Sequence, residues 1–418
     1  MALHSPITTF IIASESEEKQ GREICPVFMF GGVFVQDKIR EFKRLSKKER
    51  YAHIMVWVLI ALFLVFLVVF NKGVKRAPLL DENGNQFERA TVTEIVSETR
   101  ADNGEQLGDQ ELKVKMKTGE FKDRIVDATN INSYLYGAEC KVGTNVIVQV
   151  SSYDGNVSAS VFNYDRTGAL LGMAAVFLIS LVLIGKRKGL TSALGLIFTL
   201  ICIVFLYLPM MYLGASPFLS AVIVTVLTTF VTMYLIGGFS KKTYCAILGT
   251  VGGVVVAGLA ASLFGKIGHI TGYNVQDIET LMYIGQYTPL NIGGLMFSGI
   301  LIASLGAVMD VAMSISTSIE ELHFHDPGMT KKELFNSGIK IGGDMMGTMS
   351  NTLILAFTGG SLTTLMIFYS YSMPFLQMFN SYEMGIEILQ GLAGSLGVIL
   401  TVPLVSLIAA VMMGKSEK

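Results

Sequence analysis

Two carboxylates interrupt runs that are otherwise apolar. Asp310 lies in Gly306-Ala-Val-Met-Asp-Val-Ala-Met-Ser314, and at i, i+4, i+7 spacing it shares a helix face with Ser314 and Thr317. Asp344, Thr348 and Asn351 repeat that spacing in the next apolar run. A carboxylate inside a membrane helix costs several kcal/mol unless it is paired, neutralised or hydrated, which makes it a candidate ion or proton site. Flanked by hydroxyls and an amide, such a group can bind and release a proton, a cation or a small polar solute. The same residues also fit a hydrogen-bonded helix pair, in which an Asp–Asn or Asp–Ser contact sets register and contributes only about 1 kcal/mol. Asp344 has a further reading, as an N-terminal helix charge at the membrane surface.

The elements that carry these residues are apolar runs. Hydrophobic residues make up 51% of the 418 positions and charged residues only 16%, against about 25% charged in ordinary soluble chains. Eight stretches approach or exceed the ~20 residues that a helix needs to cross a bilayer: 52–70, 168–185, 190–213, 217–236, 245–264, 291–316, 345–371 and 388–413. Lys and Arg concentrate at 38–50, at Lys186-Arg187-Lys188, at Lys241-Lys242, at Lys331-Lys332 with Lys340, and at Lys415 and Lys418. An alternating path puts all of these on the cytoplasmic side, as the positive-inside rule requires. The expectation is an α-helical polytopic protein of the cell membrane, with about eight transmembrane helices and both termini cytoplasmic. Asp310 then lies about 10 Å from the cytoplasmic end of its span. Asn351 returns to a similar depth, so the two stripes are expected to meet in one cavity.

Residues 71–166 form the one sizeable polar region. Alternating runs at 90–97, 111–117, 121–128, 145–151 and 157–162 predict five short strands, which suit a small extracytoplasmic β domain such as an OB-like barrel. The expected organisation is a cytosolic tail over 1–51 and a first transmembrane helix over 52–70. The β domain over 71–166, a seven-helix transmembrane domain over 167–413 and a short cytosolic tail over 414–418 follow.

Other motifs read as packing or as solvated surface. Gly249, Gly253, Ala257, Ala261 and Gly265 place a small residue at every fourth position, and Gly299, Ala303 and Ala307 do so more weakly. Helix packing is expected to explain both stripes. The segment Glu320-Glu321-Leu-His323-Phe-His325-Asp326-Pro-Gly328 reads as a loop whose two His and three carboxylates make only a weak metal signal. Thr330-Lys-Lys-Glu333 has capping-box spacing. An intramembrane aspartyl peptidase requires Gly-x-Gly-Asp, but Ile341 stands at the first glycine before Gly342-Gly343-Asp344. Walker, Rossmann, GxSxG and HExxH motifs are missing, so no enzyme, catalytic residue, cofactor or metal is expected. Cys25, Cys140, Cys202 and Cys245 suggest no disulfide framework.

Five segments, taken in order, carry a resemblance. They are Gly238-Phe-Ser-Lys-Lys242, the run from Gly299 through Asp310 to Ile315, Lys332-Glu-Leu-Phe-Asn-Ser-Gly338, Asp344 through Leu355, and Gly394 through Leu404. Together they resemble the YibE/F-like family of bacterial multi-pass membrane proteins, over roughly residues 85–413. The resemblance implies membrane class and localisation and supplies no substrate or catalytic residue. The expected function is that of a permease, with Asp310, Ser314, Asp344, Thr348 and Asn351 along the path of an ion or small solute. The alternative is a non-transporting scaffold or assembly factor whose β domain docks a protein partner. The lipid bilayer is the other expected partner, and no nucleic acid is expected.

Overall fold

A computed structural model of the chain describes residues 47–74, 85–100, 107–133, 137–153, 156–275 and 277–415. Residues 1–46 of the expected tail and the last three residues of the chain lie outside the described residues. Helix α1 spans Lys47–Gly73, with its apolar stretch over Ile54–Gly73. Five residues of the expected tail thus belong to the helix.

Five strands follow: β1 Asn85–Glu98, β2 Gly108–Met116, β3 Ile125–Asn132, β4 Asn145–Tyr153 and β5 Asn156–Tyr164. They close into a barrel in the order β1-β2-β3-β5-β4. All pairings are antiparallel except the short β3–β5 contact at Ala128–Ala159 and Thr129–Ser160. Alternation along each strand sends Val92, Leu112, Val114, Met116, Val146 and Val148 into a fully buried core. The third strand starts four residues later than its sequence pattern suggests. Phe121 instead belongs to a turn that ends on Asp123, whose φ is +67°.

The helices that follow are α2 Thr167–Cys202, a π turn over Ile203–Tyr207, α3 Leu208–Tyr212, α4 Pro217–Gly237, α5 Lys241–Ile267 and α6 Ile278–Tyr287. Helices α7 Ile292–His325, α8 Lys331–Gly360, α9 Leu362–Ser370, α10 Phe375–Phe379 and α11 Tyr382–Met413 complete the chain. Just ahead of α2, the Thr167 hydroxyl and backbone N–H hold the Asp165 carboxyl below the usual carboxylate range. Within α2, Lys186 takes a left-handed φ of +49° and Gly189 lies against the Leu181 backbone, so the chain doubles back there. Six of the helical segments are long and apolar enough to cross a membrane, and the α8–α9 pair, bent by 60° at Ser361, makes a seventh if counted as one span. The protein is a multi-pass membrane protein with a small five-stranded barrel.

Helix α11 is packed against α5, α7 and α8, and small residues set the closeness of those contacts. A Cβ on Gly253 of α5 would lie 2.8 Å from Val308 of α7 and 3.1 Å from the Gly397 carbonyl of α11. One on Gly397 would lie 2.8 Å from Ala257. The α5 stripe is therefore a packing surface, as its spacing suggests. The weaker stripe on α7 is not: Gly299 and Ala303 are exposed, and a Cβ at Gly299 would meet nothing within 4 Å. Helix α7 also continues through Glu320–His325, which the sequence reading makes a loop. Lys242 holds Glu320 at 2.7 Å, and His325 lies 3.3 Å from Glu321 one turn earlier. These i, i+4 and cross-helix partners extend the helix by more than two turns past its apolar part.

Candidate functional site

Helix α7 buries Leu301, Leu305, Val308, Ala312, Ile315 and Ile319 against its neighbours. The opposite face carries Gly299, Ala303, Gly306, Asp310 and Thr317, all exposed, while Ser314 is half-buried beside Ile315. Asp310 thus sits near mid-helix, on the side turned away from the helices that pack against α7 within residues 71–418. On α8 the inward positions are Leu334, Gly338 and Gly342. Asp344, Gly347, Thr348 and Asn351 are exposed. The two stripes are brought to one side of the bundle, but they do not close over a cavity. Which face of a uniformly apolar helix packs inward depends on its neighbours, and spacing alone does not reveal it.

Their relative height follows from three contacts. A Cβ on Gly342 would sit 2.8 Å from Ile315, one on Gly338 would sit 2.8 Å from Ile319, and Gly394 of α11 lies against both Leu353 and Ser304. This antiparallel register sets Gly347 level with Asp310 and Thr348 within one residue of it. Asn351 lies about 6 Å to one side and Asp344 about 4–5 Å to the other, at 1.5 Å per residue. Side chains lean toward a helix's own N-terminus, so on antiparallel helices Asp310 and Asn351 lean toward each other's level.

Thr348 donates to the Met345 carbonyl at 2.9 Å, and Thr352 donates to the Thr348 carbonyl at 2.9 Å. No hydrogen bond or ion pair joins the side chains of Asp310, Ser314, Asp344 or Asn351 to another described residue. Open space surrounds Gly306, Gly343 and Gly347. The arrangement is a carboxylate, a second carboxylate and an amide, all unpartnered on a surface of small residues. Among the described residues, no cluster of three or more His, Cys, Asp or Glu could hold a metal. The capping box is present, with Thr330 Oγ1 accepting from the Glu333 N–H and Glu333 accepting from the Thr330 N–H.

Three features escape the sequence reading. Helix α4 buries a row of hydroxyls, of which Ser220, Thr225, Thr229 and Thr232 have no partner among the described residues. Glu387, half-buried near the start of α11, lines a cavity of ≈ 240 Å³ with Thr358 and Ser361 at the α8–α9 elbow. On the barrel, Glu111, Lys113, Asp127 and Gln149 line an open groove of ≈ 560 Å³. Threonine looks like any β-branched residue in an apolar run, and Glu387 falls just outside the expected eighth span.

The family model of the YibE/F-like protein matches residues 173–415. The chain belongs to the YibE/F-like family. The match takes in both polar stripes of the YibE/F-like region and leaves the barrel outside, whereas the sequence resemblance extends back to about residue 85. No curated protein and no solved structure matches the chain.

Proposed function

We propose that this YibE/F-like protein is a permease of the cell membrane in which Asp310 binds and releases a proton, a cation or the charged group of a small solute. In this reading the chain crosses eight times, because the reversal at Lys186 splits α2 into two spans and α8–α9 counts as one. Both termini are cytoplasmic, and the barrel, with an OB-like strand order, stands on the outer side. The observation that carries the proposal is the unpartnered Asp310 carboxylate at mid-helix in α7, beside the small and polar surface of α8. A helix broken by 60° at Ser361 supports it, since discontinuous helices recur where membrane proteins bind ions and solutes.

Solid-supported-membrane electrophysiology on protein in liposomes tests it, with protons, alkali and divalent cations and small metabolites as the panel. A current that Asp310→Asn reduces at least tenfold is expected. A current unchanged in Asp310→Asn removes the carboxylate from the mechanism.

The outward direction of both stripes favours a second reading, a scaffold whose polar faces and barrel groove dock other proteins. Hydration separates the two. A cysteine at Ser314 that reacts with a membrane-impermeant thiol reagent from one side supports the permease, and a silent one supports the scaffold.

A further inference from the structure

We infer that a second copy of this chain covers the outward face of α7 and α8, and that Asp310 of each copy pairs with Asn351 of the other. This requires only that α7 and α8 lie in the membrane; it does not depend on transport, and it departs from the scaffold reading in making the occupant of this face a second copy.

Lipid is a poor neighbour for this face. Asp310 is exposed near the middle of a 34-residue helix, and Asp344, Thr348 and Asn351 are exposed on the helix beside it. Hydrocarbon offers no donor to a carboxylate and no acceptor to an amide. Elsewhere the outward residues of the bundle are of the lipid-facing kind, such as Leu259 and Leu263 on α5 and Leu407 and Val411 on α11. The apolar stretch of the first helix, residues 52–70, holds few polar groups, only the His53 imidazole and the Trp57 indole N–H near its start.

The face is complementary to itself. A two-fold axis along the membrane normal leaves every residue at its own depth and brings α7 of one copy to α8 of the other. Asp310 and Asn351 lean toward a shared level, so the carboxylate of one copy meets the amide donor of its partner, twice over. Thr348, whose hydroxyl hydrogen is taken by Met345, keeps an oxygen free to accept. Gly299, Ala303, Gly306 and Gly347 have room beside them for close backbone approach.

The test is disulfide trapping in membranes that hold the full chain. Ala303→Cys and Leu355→Cys lie one to two turns beyond the pair, at nearly the same depth, and both positions are exposed. The two variants are co-expressed with different tags and oxidised, with Leu259→Cys on α5 as the control position. A product carrying both tags at twice the 45.4 kDa chain mass, and little product at Leu259→Cys, is expected. Adding Asp310→Leu to both chains should lower the yield at least tenfold, and the exchanged pair Asp310→Asn with Asn351→Asp should restore it.

No product at Ala303/Leu355, or equal product at Leu259→Cys, overturns the proposal. A product joined to a different protein overturns it as well and makes the face a hetero-complex site. Trapping that succeeds while Asp310→Asn leaves every transport current intact upholds the dimer and rejects only the permease.

Discussion

In the barrel core two buried amides organise the packing. Asn130, fully buried on β3, donates to Gln110 Oε1 at 2.8 Å and to the Ala138 carbonyl at 2.6 Å, while Gln110 donates to the Cys140 carbonyl at 3.2 Å. Cys140 is enclosed by this network, and burial pushes its thiol from 9.0 up to about 11. At neutral pH the thiolate fraction falls about a hundredfold below that of an ordinary cysteine, since each pKa unit is a factor of ten. Maleimide labelling of Cys140 in the folded protein at pH 7.5 should therefore be at least tenfold slower than in denaturant, and equal rates would mean that Cys140 is not enclosed as described. Because the folded pKa lies above the unfolded one, the thiol's contribution to stability is complete below pH 9 and is lost as pH rises toward 11. The inward alternation on β3 runs Val126, Ala128, Asn130, and an amide in the third place hides the strand's continuation from a hydrophobicity reading. Asp310 poses the opposite problem. Its rarity and its i, i+4, i+7 partners are plain in the sequence, but its outward direction follows from how Val308, Ile315 and Gly342 pack.

Helices α5 and α11 cross where Gly253 meets Gly397, and neither position has room for a side chain. Gly253→Leu would drive a branched side chain into Thr401, Val308 and the Gly397 carbonyl, and overpacking of this kind costs about 1–3 kcal/mol or more. Its melting temperature in detergent should drop by several degrees, whereas Gly299→Leu, with open space beside it, should leave the isolated chain's melting point nearly unchanged. Equal losses at both sites would contradict the packing described for α11. The stripe on α5 is legible beforehand because four-residue spacing of small residues has one common cause, close helix approach. The break at Ser361 is less legible. Gly359-Gly360 ends α8 inside an apolar run, and hydropathy has no term for a 60° bend. Glu320–His325 misleads in the other sense, since its polarity suggests a loop while Lys242 and the Glu321–His325 turn keep it helical.

Charge at one end of the helical bundle ties the elements into an orientation. Lys242 pairs with Glu320, Lys241 Nζ donates to the Met412 carbonyl at 3.4 Å, and Lys331 N donates to the Lys415 carbonyl at 3.3 Å. The start of α5, the end of α7, the start of α8 and the end of α11 therefore gather together; α5, α8 and the residues just past α11 bring lysines, and α7 brings the Glu320 carboxylate that Lys242 holds. Gly195, about two and a half turns past the Lys186 reversal, packs against Thr232 near the last turn of α4, so that reversal belongs to the same end. Cations in short loops favour the cytoplasmic side during insertion, which is the basis of the direction proposed for the bundle. Cysteines at Lys188 and Met329 should react with a membrane-impermeant maleimide only in inside-out vesicles, and a cysteine at exposed Lys141 on the barrel only in right-side-out ones. If the Lys188 and Met329 positions label from opposite sides, α2 does not reverse as a pair of spans and the eight-crossing path fails. If all three label from one side, the barrel shares a compartment with the lysines and the proposed orientation fails. The predicted split would put the barrel and its groove where an extracytoplasmic partner can reach them, and Asp310 within a bilayer whose two faces it could connect.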